Sequence, residues 1–186
     1  MSSSDTPKTV LLKGKFSHRQ GKANAAITPG YLIEQMSSGN MRKHATAGGV
    51  KPSPLFAREE EYVGGSIDDA YASNDSLPYV VAHPGAQVFA LVAAGAAAIV
   101  IGDLLESAGD GTLRKAGNYL TDNSGGAANT TLQDIGASPS EAEVANNFAD
   151  VAAAINRLMP GALCRAVSAV DNSGGSSEAR VKVEII

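Results

Sequence analysis

Tryptophan is absent from this chain of 186 residues, aromatics make up 5%, and there is one cysteine. With so few large rings, the core has to be filled by Val, Ile, Leu and Ala in short segments. The lone Cys164, set in GALCRAVSAV, cannot close an internal disulfide and reads as a buried strand residue. Histidine is nearly as scarce. His18, His44 and His83 belong to no motif and read as surface groups, and HExxH, GxSxG, CxxC, GxGxxG and GxxxxGK[ST] are all missing. Asp68 and Asp69 are adjacent, and neighbouring side chains of an extended chain point to opposite faces, which is poor geometry for sharing a proton or a metal. The chain is therefore expected not to be an enzyme, with no catalytic residues, no cofactor and no metal.

Long apolar stretches are missing too. The run from Val88 to Ile101 is shorter than the roughly 20 residues a membrane helix needs, and Gly95 interrupts it. The opening MSSSDTPK has no apolar core of the kind a signal peptide carries. No membrane partner is expected.

The net charge of −4 hides an imbalance. Met1 to Lys51 holds eight Lys/Arg against Asp5 and Glu34, or +6, and the remainder holds seven bases against seventeen acids, or −10. A basic third of this kind suits an acidic protein surface as well as nucleic acid. Because no basic stripe is interleaved with aromatics, nucleic acid is not the expected partner.

What is present is a repeat. Residues 25–43 align without a gap on residues 97–115, and nine of nineteen positions are identical: two Ala, one Ile, two Gly, Leu, Glu, Arg and Lys. In each copy a glycine opens a short apolar strand, a polar cluster turns the chain, and a Met/Leu-Arg-Lys strand returns. Ser38-Gly39-Asn40 and Gly109-Asp110-Gly111 have turn chemistry, with glycine for positive φ and Asn/Asp for local backbone bonds. Asp103, Glu106 and Asp110 do not follow the spacing of a calcium loop of the EF-hand type. A lipoyl or biotin carrier domain also repeats a hairpin, but it presents a lysine at the tip. Lys43 and Lys115 sit on the return strand instead.

Thr9 to Phe16, Leu77 to Ala82 and Gln87 to Val92 read as strands, the last two joined by His83-Pro84-Gly85. Ala162–Val170 and Ala179–Ile186 read as a pair around DNSGGSS, with Arg180, Lys182 and Glu184 on a wet face and Val181, Val183 and Ile185 inward. Residues 16–24 are polar and basic and read as a loop or arm, and Glu59-Glu60-Glu61 as a solvated face. Ser138-Pro139-Ser140-Glu141 starts a capped amphipathic helix near 139–158, its apolar stripe carried by Val144, Phe148, Val151, Ile155 and Leu158. The expected organisation is a flexible basic arm with one strand over 1–24, then a single β-rich domain over 25–186 with a helical insertion at 138–159.

Seven segments, read together, resemble the capsid decoration (cement) proteins of tailed bacteriophages and related tailed viruses. They are KTVLLKG from Lys8, ITPGYLIE from Ile27, MRKHATAGG from Met41, GSIDDAYA from Gly65, LVAAGA from Leu91, GDLLESAGDGTLRK from Gly102 and AVDNSGG from Ala169. The resemblance runs in order along most of the chain except 118–159, where the helical segment departs from the shorter family pattern. It implies a mainly β fold, a small β-barrel or β-tulip-like domain built on the two similar hairpins. It also implies a virion protein, made in the host cytoplasm, that binds the outside of the major capsid protein lattice and stabilises the mature head as a homotrimer, with a dimer as the alternative. The basic segment then supplies the contact residues Lys8, Lys13, Lys15, Arg19 and Lys22, with residues 25–186 expected to fold without it. The competing reading is another virion structural or adhesin module, such as a tail or fibre component.

Overall fold

The computed structural model describes residues 6–48, 51–116 and 161–186. These residues form eleven strands and one 3-10 turn, Glu61–Val63. The strands are β1 (Leu11–Lys13), β2 (Phe16–Lys22), β3 (Ile33–Gln35), β4 (Met41–Lys43), β5 (Leu55–Ala57), β6 (Ser76–Ala82), β7 (Gln87–Val92), β8 (Leu104–Ser107), β9 (Leu113–Lys115), β10 (Cys164–Ala166) and β11 (Ala179–Ile185). The helix expected near 139–158 and the loop expected over 118–136 lie outside the described residues, as does DNSGG at 122–126.

The expected small barrel is present. Strand β7 pairs with β11, β11 with β10, β10 with β8 and β8 with β9, and a parallel bridge from Leu113 to Val92 returns β9 to β7. The ring of five strands leaves no open edge along that circuit. Alternation in β11 works as the sequence implies, with Val181, Val183 and Ile185 buried. Leu105, Leu113 and Cys164 join them inside, so the single cysteine is a core residue.

The first half of the chain repeats this circuit. Ladders join β2 to β6 and β6 to β5, the bridge Leu32–Phe56 links β5 to the strand entering β3, β3 pairs with β4, and a parallel bridge Ala23–Met41 returns β4 to β2. The two hairpins share one register: Glu34 faces Arg42 as Glu106 faces Arg114. Their glycines match as well, with φ of 96° and 95° at Gly30 and Gly102, and 88° at both Gly39 and Gly111.

Equivalence extends beyond the stretch in which the sequence repeat is visible. Ile27 exchanges backbone bonds with Tyr71 as Ile99 does with Val170, and Asn24 N–H reaches Met41 O as Ala93 N–H reaches Leu113 O. Arg58 N–H bonds Pro78 O as Val167 N–H bonds Lys182 O. The molecule is a tandem duplication of one five-strand unit, β2–β6 followed by β7–β11.

The halves differ in which wall is apolar. In the first unit Leu32, Phe56, Val80 and Ala82 point out of the ring and share a core cluster with Val88, Val181 and Leu105 of the second. Ile33, Met41, Ala57 and Leu77 fill the first ring itself. Gly111 lies at the seam. Its N–H donates to His44 O and its O accepts from Leu32 N–H, and a Cβ there would come within 2.9 Å of the Tyr31 ring. Glycine is required by that approach as well as by its positive φ.

The N-terminal region corrects three expectations. Residues 16–22 are not a loop or free arm but strand β2, paired with β6 at seven positions. The single strand expected over Thr9–Phe16 breaks at Gly14, where φ is 110° and a Cβ would lie 2.5 Å from Ala86 Cα. Strand β1 leaves the first unit and pairs with β7, placing Val10 fully buried in the main cluster. Residues 10–22 therefore contribute a core side chain and two paired strands, and residues 25–186 do not contain the whole fold.

Glu59 is buried rather than solvated, because both of its carboxylate oxygens accept from Val10 N–H, at 3.1 and 3.2 Å. Arg180 is similarly withdrawn from the wet face of β11. It donates to Pro29 O at 3.0 Å and to Ile67 O, with Asp68 at 3.4 Å.

Candidate functional site

The repeated turns use up their own polar groups. Asp110 Oδ1 accepts from Thr112 N–H at 2.9 Å and from its hydroxyl, and Ser107 Oγ accepts from Gly109 N–H at 3.2 Å. In the second unit, Val100 N–H and the Lys115 ammonium hold the Asp103 carboxyl below the usual carboxylate range. The DNSGG turn at Asp171 behaves alike: Ser173 hydroxyl and N–H lower the Asp171 carboxyl, and Asn172 donates to Ala93 O and Ser177 O. Each acid accepts from a backbone N–H of its own bend, and Asp103 also meets Lys115 on β9.

Histidine placement departs from the surface reading at one position. His18 is exposed, and His83 is half-buried with Nε2 2.9 Å from Ser17 Oγ. His44 is buried at the seam between the units, Nδ1 2.8 Å from Ser107 Oγ and Nε2 3.7 Å from Glu34 Oε2. Serine, histidine and glutamate meet there in sequence-distant order, yet Ser107 is 1% exposed and offers no approach to a substrate. The cluster ties hairpin to hairpin. Asp68 and Asp69 diverge, Asp68 toward Arg180 and Asp69 to Ser66 N–H at 2.8 Å.

The basic residues are arranged differently. Lys8, Lys13, Lys15, Arg19 and Lys22 are all exposed, and none has an ion-pair partner among the described residues. Elsewhere most described cations are engaged, Arg58 and Lys182 excepted: Arg42 with Glu34, Arg114 with Glu106, Lys115 with Asp103, Arg165 with Glu184, and Lys43 over the Tyr31 ring at 3.8 Å. Lys13 and Lys15 flank the Gly14 bend, and Arg19 and Lys22 stand on β2 opposite Tyr79 and Ser76. Four of the five thus follow one continuous stretch of β1, bend and β2, while Lys8 precedes it.

Strand β2 also carries a feature that reading the residues missed. Lys15 O accepts from His83 N–H and Ala23 N–H donates to Asp75 O, so the odd-numbered residues of β2 turn their backbone toward β6. His18, Gln20 and Lys22 turn theirs outward. Among the described residues no backbone group of 17–22 bonds anything beyond the β2–β6 ladder. A stretch reading HRQGK has no apolar alternation to announce a strand, so only its pairing reveals it.

No family model matches the chain, and no curated protein matches it. Among solved structures, the chain is similar to the N base of head fiber gp8.5 in bacteriophage phi29. The TM-score is 0.44 and the identity 14%, over 92% of this chain and 95% of that chain.

Proposed function

We propose that this protein decorates the head of a tailed virus, binding the outer surface of the assembled major capsid protein through its basic N-terminal strands and stabilising the mature shell without catalysis. The observation that carries the reading is the set of unpaired cations on β1 and β2, held on a body whose other described acidic and basic groups are largely satisfied internally. A closed, duplicated barrel provides a stiff platform, and a strip of free positive charge provides attraction to an acidic lattice. Copies bound side by side on one shell act with avidity, so each contact can be weak. A homotrimer suits local three-fold positions on such a lattice.

The test is cosedimentation of the full chain with expanded, empty phage heads stripped of decoration. Wild type is expected to pellet with heads, less so as salt rises, because exposed charge contacts are screened beyond about 10 Å at 0.1 M ionic strength. The variant carrying Lys13→Glu, Lys15→Glu, Arg19→Glu and Lys22→Glu is expected to stay in the supernatant. A wild type that never pellets, or a variant that pellets equally, overturns the proposal.

A further inference from the structure

The duplication allows one half of the molecule to be compared with the other. In the second unit two of the outward N–H groups of β7 have partners beyond β11: Phe89 N–H donates to Val10 O at 2.8 Å and Leu91 N–H to Gly30 O at 3.2 Å. The equivalent positions in the first unit, through the matching parallel bridges Ala23–Met41 and Val92–Leu113, are Gln20 and Lys22. Among the described residues, their backbones meet nothing outside β6. Among the described residues, the edge that β1 fills in one unit is unfilled in the other.

From this vacancy we infer that β2 accepts an added antiparallel strand from a partner, and that this strand is extended and acidic. The chemistry of the edge selects the occupant. Strand β7 receives the apolar Val10 and Leu11 beside Val88 and Phe89, whereas β2 offers His18, Arg19, Gln20 and Lys22, so the partner has to bring negative charge rather than apolar surface. A second copy of β2 is a poor occupant, since antiparallel pairing of this strand with itself sets cations against cations. Charged edges also serve to repel unwanted strands. The vacancy itself does not depend on the capsid reading, which enters only in naming the lattice as the source of the strand.

The experiment uses the ¹⁵N-labelled full chain and a blocked seven-residue peptide of alternating Glu and Val, with a Lys and Val peptide as control. The acidic peptide is expected to shift the amides of His18, Gln20 and Lys22 and slow their exchange, and the basic peptide to leave them unmoved. Gln20→Pro deletes one outward N–H and spares the ladder to β6. It is expected to weaken the acidic peptide about tenfold or more, and Gln20→Ala about twofold or less. If neither peptide moves those amides, if both do, or if Gln20→Pro binds as wild type does, strand addition is wrong. Should Gln20→Pro fail to fold, amide exchange in wild type decides alone. The head assay separates the two proposals. Heads that bind wild type and Gln20→Pro equally refute the lattice as the source of the strand and leave capsid binding standing, whereas peptide binding without head binding refutes capsid binding and leaves strand addition standing.

Discussion

The twin hairpins place one ion pair in two environments, which makes a controlled test of what the environment is worth. Glu34–Arg42 and Glu106–Arg114 have the same residues, the same register and nearly the same geometry, with Nε to Oε1 distances of 2.7 and 2.9 Å. The arginines are similarly exposed, at 47% and 44%, but the Glu34 side chain is 26% exposed and that of Glu106 1%. An exposed pair contributes about 0.2–1 kcal/mol. Removing the cation from a buried carboxylate costs about 3–5 kcal/mol when both groups are buried. The half-exposed Arg114 lowers the second figure to about 2–3 kcal/mol. Arg42→Ala should therefore cost about 0.5 kcal/mol and Arg114→Ala about 2–3 kcal/mol, with strand propensity cancelling between them.

Urea unfolding of the two single variants measures the difference directly. In thermal melts a domain of this size moves about 2–4 °C per kcal/mol, so Arg114→Ala should melt about 4–12 °C below wild type and Arg42→Ala within about 2 °C. In 1 M salt, where screening acts within about 3 Å, the Arg42 effect should vanish and most of the Arg114 effect should remain. Equal costs for the two variants would show that the burial of Glu106 does not govern the pair, and the reasoning would fail.

Removing residues 1–14 should cost more than about 3 kcal/mol, since Val10 leaves the core and Phe89 N–H and Glu59 lose their partner; urea titration of the truncation beside the full chain checks this. Burial, aided by the Glu60 carboxylate, pushes the Tyr71 phenol up to about 12. The folded state then holds that proton more tightly than the unfolded chain, so this contribution is complete below pH 10 and fades between pH 10 and 12. Tyr71→Phe should show a shallower alkaline loss of stability in that window, and an unchanged slope would refute the assignment. Burial likewise drives the Cys164 thiol upward. A chromogenic disulfide reagent should react with it only as the protein unfolds, and rapid labelling of the native protein would contradict its place in the core.

The repeat was legible in the sequence only where both halves need the same residues. Turn glycines, the facing Glu and Arg, and the inward Ile33/Leu105 and Met41/Leu113 survive because hairpin geometry demands them in each unit. The flanking strands were illegible as copies because the units use opposite walls. Phe56 and Val80 of the first unit pack on the second, and their counterparts there are the charged Arg165 and Glu184. Arg19 occupies the position of buried Val88, so β2 and β7 share a fold but no pattern. The basic residues of the candidate site could be named from composition, yet the uncapped backbone beside them could not, because it follows from which edge β1 chooses. The burial of His44 and Glu59 was also invisible, since it depends on contacts 63 and 49 residues away in the chain.

The two units treat one junction very differently. Between β4 and β5 the chain crosses in residues 44–54, and between β9 and β10 the same crossing carries residues 116–163. Both ends of the longer crossing are fastened to β8, Ala116 N–H to Leu104 O and Leu163 N–H to Leu105 O, each at 2.8 Å. At this junction the two ends are therefore held side by side by β8 itself, and the register of the ring there is carried by the strands already described.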